Sequence, residues 1–245
     1  MSAKSTVRAA LERLLDARIF QTTPRGVDPA ADLRGAFPSL AIGTVFDVGA
    51  NEGQSAEAYL ARYPDAYVTC FEPSRMTFDR LQARLAGNPR VRCIRAAVSD
   101  RRGTGSFQAT GESAGRRLLD GAEGGGQQDT EDVPLLTLDA FCSENGTARI
   151  DYLKIDTEGH ELEVFGGAAQ LLAEERIGIL EVELGMNPEN TYHTRFEDAK
   201  AYLEERGYRL FAIAEQVPEF LTRQPHLRRV NGVFVSAGMI ARQSD

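Results

Sequence analysis

The sequence predicts an α/β fold built on a mostly parallel sheet with helices on both faces. Short apolar segments typical of buried strands alternate with amphipathic segments of helical period along most of the 245 residues. Alternation of this kind favours parallel strands joined by crossover helices. Several of the apolar segments end at a glycine turn or at a cluster of charged residues. Ligands of such sheets bind beyond the carboxyl ends of the strands, so we expect the chemistry at these segment ends.

The first 40 residues are predicted to form a helix and a connecting arm ahead of the main domain, which takes up residues 41–245. Residues 3–18 place apolar side chains such as Leu11 at helical spacing, with charged side chains off that face. Residues 21–40 contain three prolines and two glycines, which interrupt regular structure and favour an arm.

The main domain is predicted to contain seven strands and five helices. The strands cover 44–49, 67–71, 91–98, 150–156, 177–184, 208–214 and 229–236. The helices cover about 53–63, 75–86, 138–144, 160–173 and 195–206. The last two strands are expected to form an antiparallel pair. Residues 110–132 hold six glycines and six acidic residues without periodicity, which predicts a long flexible loop that acts as a lid.

Composition argues against several classes of protein. There are 28 Lys and Arg against 36 Asp and Glu, and the net charge of −8 argues against a nucleic-acid-binding surface. No apolar stretch is long enough to span a membrane, and the first 20 residues lack the apolar core of a secretory signal. The cysteines Cys70, Cys93 and Cys142 are odd in number and far apart, which fits neither disulfides nor zinc and favours a reducing cytoplasm. Assembly into a homo-oligomer stays open.

The first strand ends in the motif Asp47-Val-Gly-Ala-Asn-Glu-Gly53. Glycines at positions 49 and 53 allow a tight turn and the close approach of a ligand to the backbone. Asn51 stands where the dinucleotide fingerprint requires its second glycine, so a diphosphate site is not predicted. The acidic residue that opens the turn, Asp47, suits an amino group. The alternative interpretation is a structural turn in which Asp47 caps the next helix.

The second strand ends at Glu72, 23 residues after Gly49, which is the spacing of one strand–helix–strand unit. An acidic residue at this place in nucleoside-binding α/β folds accepts hydrogen bonds from ribose hydroxyls. The alternative is that Glu72 caps the helix that starts near Ser74. Both features occur in register with the strand pattern, which favours the nucleoside interpretation.

The fourth and fifth strands end in charged residues. The segment from Lys154 to Glu161 contains three acidic residues and a histidine, and Asp156 follows directly after the apolar strand. Part of this charge is explained by the favourable position of acidic residues at a helix start. Glu181 and Glu183 face the same way in the fifth strand, where they need a partner or a wet crevice. An edge strand with one solvent face is the alternative.

The motifs DVGANEG, FEP, AAVSD, TLD, YLKIDTEGHELEVFGGA, ILEVE and VNGVFVS, taken in order from Val45 to Val235, resemble the FkbM family of S-adenosylmethionine-dependent methyltransferases. The resemblance implies a Rossmann-like sheet of seven strands with an antiparallel edge, and transfer of a methyl group to a hydroxyl of a small molecule such as a sugar, a glycoside or a polyketide. It also implies cofactor contacts from the turn Asp47–Gly53, which would hold the methionine end, from Glu72, which would bind the ribose, and from Asp156. The turn formed by Ala97, Val98 and Ser99 would lie beside the adenine.

A hydroxyl acceptor is a weak nucleophile and needs a base or a metal ion. The candidate bases are Asp156, Glu158, His160, Glu183 and His193. A magnesium ion held by Asp156 and Glu183 is an alternative, although we do not expect one. Two other functions stay open, namely a nicotinamide-dependent oxidoreductase and a methyltransferase-like binding protein without catalysis.

Overall fold

A computed structural model of the chain describes residues 3–20, 22–108, 117–119 and 130–242. The strands are β1 (Thr44–Val48), β2 (Tyr67–Phe71), β3 (Val91–Ile94), β4 (Ala97–Val98), β5 (Gly103–Gln108), β6 (Leu118–Leu119), β7 (Thr130–Leu136), β8 (Ile150–Ile155), β9 (Ile177–Gly185), β10 (Tyr208–Pro218) and β11 (Leu227–Ser236). The helices are α1 (Ala3–Leu15), α2 (Pro29–Ala36), α3 (Gln54–Arg62), α4 (Arg75–Arg84), α5 (Leu138–Glu144), α6 (Glu161–Gly167), α7 (Ala169–Ala173), α8 (Phe196–Glu204) and α9 (Ala237–Ala241).

The main sheet has seven strands in the order β10-β11-β9-β8-β1-β2-β3. Strands β9, β8, β1, β2 and β3 pair in parallel, whereas β11 runs antiparallel to both β9 and β10. The predicted seven-stranded sheet with an antiparallel edge is therefore confirmed.

The central strands are buried on both faces, which explains their nearly continuous apolar sequences. Successive residues of a strand point to opposite faces. Phe46 and Leu153 accordingly pack into the core on one face, and Val45 and Tyr152 pack into the core on the other. This double burial fixes the register of the strands and so the relative positions of their carboxyl ends.

The strand predicted over 91–98 is wrong in one respect, because the chain leaves the main sheet in the middle of it. The backbone N–H of Ala96 donates to the carbonyl of Ile94 at 3.1 Å, which turns the chain. The guanidinium of Arg95 pairs with Glu131 in β7 at 3.0 Å. Only β3 remains in the main sheet, and Ala97 begins a strand of a second sheet.

The second sheet has four strands in the order β4-β7-β5-β6 and was not predicted. Within the predicted loop 110–132, residues 118–119 and 130–132 lie in strands, so the loop prediction is wrong there. Residues 110–116 and 120–129 lie outside the described residues, and with them most of the predicted lid. The small core of this sheet is formed by Phe107, Val133 and Leu135.

The helices differ from the prediction at three places, one of which is the short helix α9 after β11 that was not predicted. The predicted arm over 21–40 contains α2, in which Asp28 accepts a hydrogen bond from the N–H of Ala31 at 3.1 Å and Pro29 occupies the first turn. An acidic cap followed by proline is a helix-start signal that the prolines of the arm obscure. The helix predicted over 160–173 is interrupted at Ala168, which separates α6 from α7.

The turn after β1 lies directly against the end of β8. The N–H groups of Gly49 and Ala50 both donate to the carbonyl of Phe71, each at 3.0 Å. Gly49 has a φ of +81°, and a Cβ atom at this position would lie 1.8 Å from the carbonyl oxygen of Asp156. Only glycine fits both the conformation and the space.

We expect Gly49→Ala to lower the free energy of unfolding by more than about 3 kcal/mol, because the new methyl group meets a backbone carbonyl and the φ angle is unfavourable. Urea unfolding of the purified variant measures this loss. Gly35→Ala is the matched control, because no atom of the described residues lies within 4 Å of a Cβ at that helical glycine. The control should be neutral or stabilising by up to about 1 kcal/mol, and equal losses in both variants would contradict the expectation.

Candidate active site

A cavity of about 700 Å³ lies at the carboxyl ends of the main strands. Its wall is formed by the ends of β1, β2, β8 and β9, by the second sheet and by the start of β11. The predicted site residues and candidate bases that line it are Gly49, Asn51, Glu72, Ala97, Val98, Asp156, Glu158, His160, Glu183 and His193. The other three predicted residues, Asp47, Gly53 and Ser99, are buried behind this wall.

Glu72 is fixed at the cavity wall by two backbone N–H groups. Its Oε2 accepts from Asn51 at 3.1 Å, and its Oε1 accepts from Ser74 at 2.9 Å, where α4 begins. Glu72 therefore accepts a hydrogen bond at the start of α4 and also lies in the wall of the cavity. The bond to Asn51 also ties the first glycine turn to the end of β2.

Asp47 is completely buried next to Lys154 of the adjacent strand. Among the described residues, neither of its carboxylate oxygens has a hydrogen-bond partner. Burial raises the pKa of Asp47 to about 6, against the lowering effect of Lys154. A buried acceptor without a partner, beneath a turn that only glycine permits, fits the ammonium group of an amino-acid moiety such as the methionine end of S-adenosylmethionine.

Asp156 is held by a cation at the end of β8. The ammonium of Lys154 donates to its Oδ2 at 2.8 Å, and the Lys154 side chain is only 11% exposed. Although burial alone would raise the pKa of Asp156, the ammonium lowers it below the ordinary value. The same ion pair raises the pKa of Lys154 against the effect of burial. Asp156 therefore stays ionised and is a weak proton acceptor.

A group of acid–base side chains lies at the carboxyl ends of β8 and β9. The Nε2 atom of His193 is 2.8 Å from Glu183 Oε2 and 3.4 Å from Glu158 Oε2. Arg229 of β11 forms an ion pair with the other oxygen of Glu183. Burial raises the pKa of Glu158 to about 7, although His193 opposes this shift. Burial alone would lower the pKa of His193, but Glu183 and then Glu158 raise it above the ordinary value.

Glu158, Glu183 and His193 are also the described side chains close enough to share a cation, with their ligand atoms within 4.8 Å of one another. This grouping differs from the predicted magnesium pair of Asp156 and Glu183. In the structure, hydrogen bonds among these groups and the ion pair to Arg229 satisfy the same atoms.

Glu161 connects the loop after β8, which carries Glu158, to the loop after β9, which carries His193. Its carboxylate is completely buried, and Oε1 accepts from the N–H groups of Thr157 and Gly159, both at 3.1 Å, and from the Thr157 hydroxyl at 3.0 Å. Oε2 accepts from the N–H of Thr194 at 3.1 Å. The sequence suggested only a favourable charge at a helix start for Glu161, so this role is a finding of the structure.

His160 is engaged at both ring nitrogens. Its Nε2 lies 3.0 Å from the hydroxyl of Ser99, and its Nδ1 lies 3.5 Å from Glu163. This contact connects the start of α6 to the turn after β4. His160 thus lines the cavity as part of the scaffold near the predicted adenine side.

An apolar rim surrounds the mouth of the cavity and was not predicted. Tyr192, Phe220 and Leu221 line the cavity and are 45%, 61% and 64% exposed. Their positions depend on the loop after β9 and on the loop between β10 and β11, and neither loop has a periodic sequence signal. Large exposed apolar side chains beside a cavity are typical of a binding surface.

The sequence profile of the methyltransferase FkbM domain matches residues 47–210. The chain belongs to the FkbM methyltransferase family. The fold is accordingly the Rossmann-like sheet of S-adenosylmethionine-dependent methyltransferases. Within the described residues, no helix of this family member is long and apolar enough to cross a membrane.

Two curated relatives are similar to the chain. It is 26% identical over 190 residues to the 2-O-methyltransferase NoeI of Sinorhizobium fredii, an alignment that covers 72% of the chain and 71% of NoeI. It is 29% identical over 147 residues to the hexuronic acid methyltransferase AglP of Haloferax volcanii, which covers 60% of the chain and 58% of AglP. Among solved structures, precorrin-6y C5,15-methyltransferase from Geobacter metallireducens is 12% identical with a TM-score of 0.46, covering 84% of this chain and 85% of that one.

We expect Asp47→Asn to stabilise the ligand-free protein and to weaken the binding of S-adenosylhomocysteine. The raised pKa means that ionised Asp47 costs stability above pH 6, and this cost vanishes below the ordinary pKa of 3.8. The variant should therefore gain about 1–3 kcal/mol at pH 8, and the gain should shrink toward pH 4. Urea unfolding at several pH values and calorimetry measure the two effects.

The matched control for this prediction is Asp79→Asn, which removes a charge from the exposed face of α4. It should change neither stability by more than about 0.5 kcal/mol nor ligand affinity. If Asp47→Asn behaves like this control in both measurements, the assignment of Asp47 to the ammonium group is wrong.

Proposed function

We propose that the chain transfers the methyl group of S-adenosylmethionine to a hydroxyl group of a sugar or glycoside, with Glu158 as the general base. The relatives NoeI and AglP support a sugar-type acceptor, since their names record a 2-O-methyltransferase and a methyltransferase for hexuronic acid. The observation that carries the proposal is the half-buried carboxylate of Glu158, whose pKa lies near 7, in the wall of the cavity.

The two sides of the cavity suit the two reactants. The side formed by the glycine turn, Glu72 and the turn at Ala97–Val98 carries the contacts expected for the cofactor. The opposite side carries Glu158, Glu183 and the apolar rim. An aromatic ring such as that of Phe220 offers a flat apolar surface to the C–H face of a sugar, while the carboxylates accept hydrogen bonds from its hydroxyls.

Glu158 is the best placed of the candidate bases. Asp156 is held ionised by Lys154, and Glu183 is paired with both His193 and Arg229. The ammonium of Lys154 lowers the pKa of Asp156, and the two contacts of Glu183 occupy both of its carboxylate oxygens. Among the described residues, Glu158 forms one ion contact, at the longer distance of 3.4 Å to His193, and its pKa lies near the pH at which a base works well.

In the proposed reaction, bound S-adenosylmethionine would supply an electrophilic methyl group, whose bond to sulfur breaks as the bond to oxygen forms and leaves S-adenosylhomocysteine. The cavity residues orient the acceptor so that its hydroxyl oxygen faces this methyl group, and positioning of this kind can contribute about 7–11 kcal/mol. The carboxylate of Glu158 takes the hydroxyl proton as the new C–O bond forms. Asp156 stays ionised, and Asp156 and Glu183 orient the polar groups around the reacting oxygen.

Membership of the FkbM family separates this proposal from the oxidoreductase alternative, which would need a nicotinamide site. The other alternative is a binding protein without catalysis, and an activity assay distinguishes it from the proposed methyltransferase. Methyl transfer from labelled S-adenosylmethionine to a panel of sugars, uronic acids and glycosides tests it. Stoichiometric binding of S-adenosylhomocysteine without transfer to any of these acceptors would favour the binding protein.

We expect Glu158→Gln to lower kcat by about 10²–10⁴-fold, because the amide cannot take a proton, while the affinity for S-adenosylhomocysteine stays unchanged. In the unaltered protein, the rate should fall as the pH decreases through about 7, where Glu158 becomes protonated. The pH profile of kcat and isothermal calorimetry check these two statements.

Glu197→Gln serves as the control for Glu158→Gln. It removes the same charge, but Glu197 lies on the exposed surface of α8. Its kcat should remain within a factor of two of the unaltered protein. A normal rate in Glu158→Gln would show that another group accepts the proton. A rate that falls only below pH 5 would point to a carboxylate with an ordinary pKa.

A further inference from the structure

We infer that Asn190 fixes a proton on Nε2 of His193, so that His193 is a permanent hydrogen-bond donor to the site's carboxylates and not its base. Asn190 and His193 are then positioning residues, which act through Glu183 and Glu158. The catalytic meaning of this inference rests on the proposed function, whereas the position of the proton is a property of the chain alone.

The orientation of the Asn190 amide is set by two backbone groups. Its Oδ1 accepts from the N–H of Tyr192 at 3.0 Å, and its Nδ2 donates to the carbonyl of Arg228 at 3.2 Å. A rotation of the amide by 180° would place the NH₂ group against an N–H and the oxygen against a carbonyl. Asn190 is buried, so neither mismatch can be relieved by solvent.

The fixed amide determines which nitrogen of His193 is protonated. Asn190 Nδ2 lies 2.9 Å from His193 Nδ1, closer than Oδ1 at 3.3 Å, so Nδ1 accepts a hydrogen bond. A neutral imidazole carries one proton, which must then be on Nε2. That atom is 2.8 Å from Glu183 Oε2, the distance of a charge-assisted hydrogen bond.

The proton on Nε2 remains in both charge states of His193. Uptake of a second proton occurs at Nδ1, which faces Asn190 in a side chain that is only 5% exposed. The nitrogen that faces Glu183 and Glu158 therefore has no lone pair to offer to an acceptor hydroxyl. The same reasoning applies to a metal ion, which would need Nε2 without its proton.

A permanent donor between two carboxylates has a clear structural effect. Glu158 and Glu183 would repel each other in a partly buried site, and the N–H of His193 lies between them at 3.4 and 2.8 Å. The Nε2–H group allows the two carboxylates to remain close to each other and keeps Glu183 turned toward Arg229. Asn190 thus controls the geometry of the proposed base without contact to either reactant.

Nitrogen-15 NMR of histidine-labelled, ligand-free full-length protein tests the inference directly. The chain has three histidines, and the signals of His160 and His226 are assigned by loss in His160→Gln and His226→Gln. For neutral His193 we expect a protonated Nε2 and an Nδ1 with the downfield shift of an unprotonated ring nitrogen. A protonated Nδ1 with an unprotonated Nε2 would overturn the inference. A shift of Nε2 to a metal-bound position on addition of Mg²⁺, Mn²⁺ or Zn²⁺ would overturn it as well.

Asn190→Asp supplies a second measurement. A carboxylate can only accept at Nδ1, so His193 should become protonated on both nitrogens at a pH where it is neutral in the unaltered protein. We expect kcat to fall about tenfold with unchanged affinity for S-adenosylhomocysteine. Asn88→Asp is the control, because Asn88 lies in a turn after α4 and an aspartate there retains the hydrogen bond to the N–H of Arg90.

The two proposals fail in different ways. Absence of methyl transfer to every acceptor, together with the expected NMR signals, would remove the proposed function and leave the proton on Nε2. An Asn190→Asp variant with an unchanged histidine spectrum would overturn the role of Asn190 whatever the activity. If Asn190→Asp does not fold, the spectrum of the unaltered protein decides the inference.

Discussion

The geometry of the site depends on one buried carboxylate, that of Glu161. Four donors from two separate loops meet on it, three from the turn after β8 and one from the N–H of Thr194. A buried carboxylate without such donors would be very unfavourable, so the two loops can only fold together. Because Glu158 lies within the first loop and His193 next to Thr194, this single interaction sets the distance between them. Glu158 has a φ of +54°, a conformation that the bonds around it can maintain.

The site also shows how charge is distributed beneath an α/β crevice. The buried Lys154 ammonium interacts with three carboxylates, those of Asp47, Asp156 and Glu181, and forms an ion pair with Asp156. Two of these carboxylates differ in proton affinity, because the pKa of Asp156 lies below its ordinary value whereas the pKa of Asp47 is raised to about 6. A protein selected for stability alone would fill this space with apolar side chains. The retained charge is what the proposed binding of an ammonium group at Asp47 would require.

The sequence was sufficient for the main sheet but not for the whole cavity. Buried strands such as β8 and β9 are recognisable by their apolar sequences. The polar residues near their carboxyl ends, Asp156 and Glu183, could therefore be located from the sequence. The second sheet could not, since β5 contains two glycines and one large apolar residue and β6 has only two residues. Arg229 reaches Glu183 because β11 pairs with β9 in one register, which local patterns do not determine. The contacts of Asn190 depend on the conformation of the loop between β9 and α8, and the sequence of that loop has no periodicity that predicts its conformation.

The family match ends at Leu210, yet the cavity wall continues beyond it. Phe220, Leu221, Arg228 and Arg229 all come from the hairpin of β10 and β11, whereas the glycine turn and Glu72 come from the first half of the domain. Glu158, Glu183 and His193 lie within the matched residues, so the hairpin supplies one part of the wall and the matched region supplies the rest. Substitutions in this one hairpin can therefore change the shape and charge of the cavity without altering the glycine turn or Glu72.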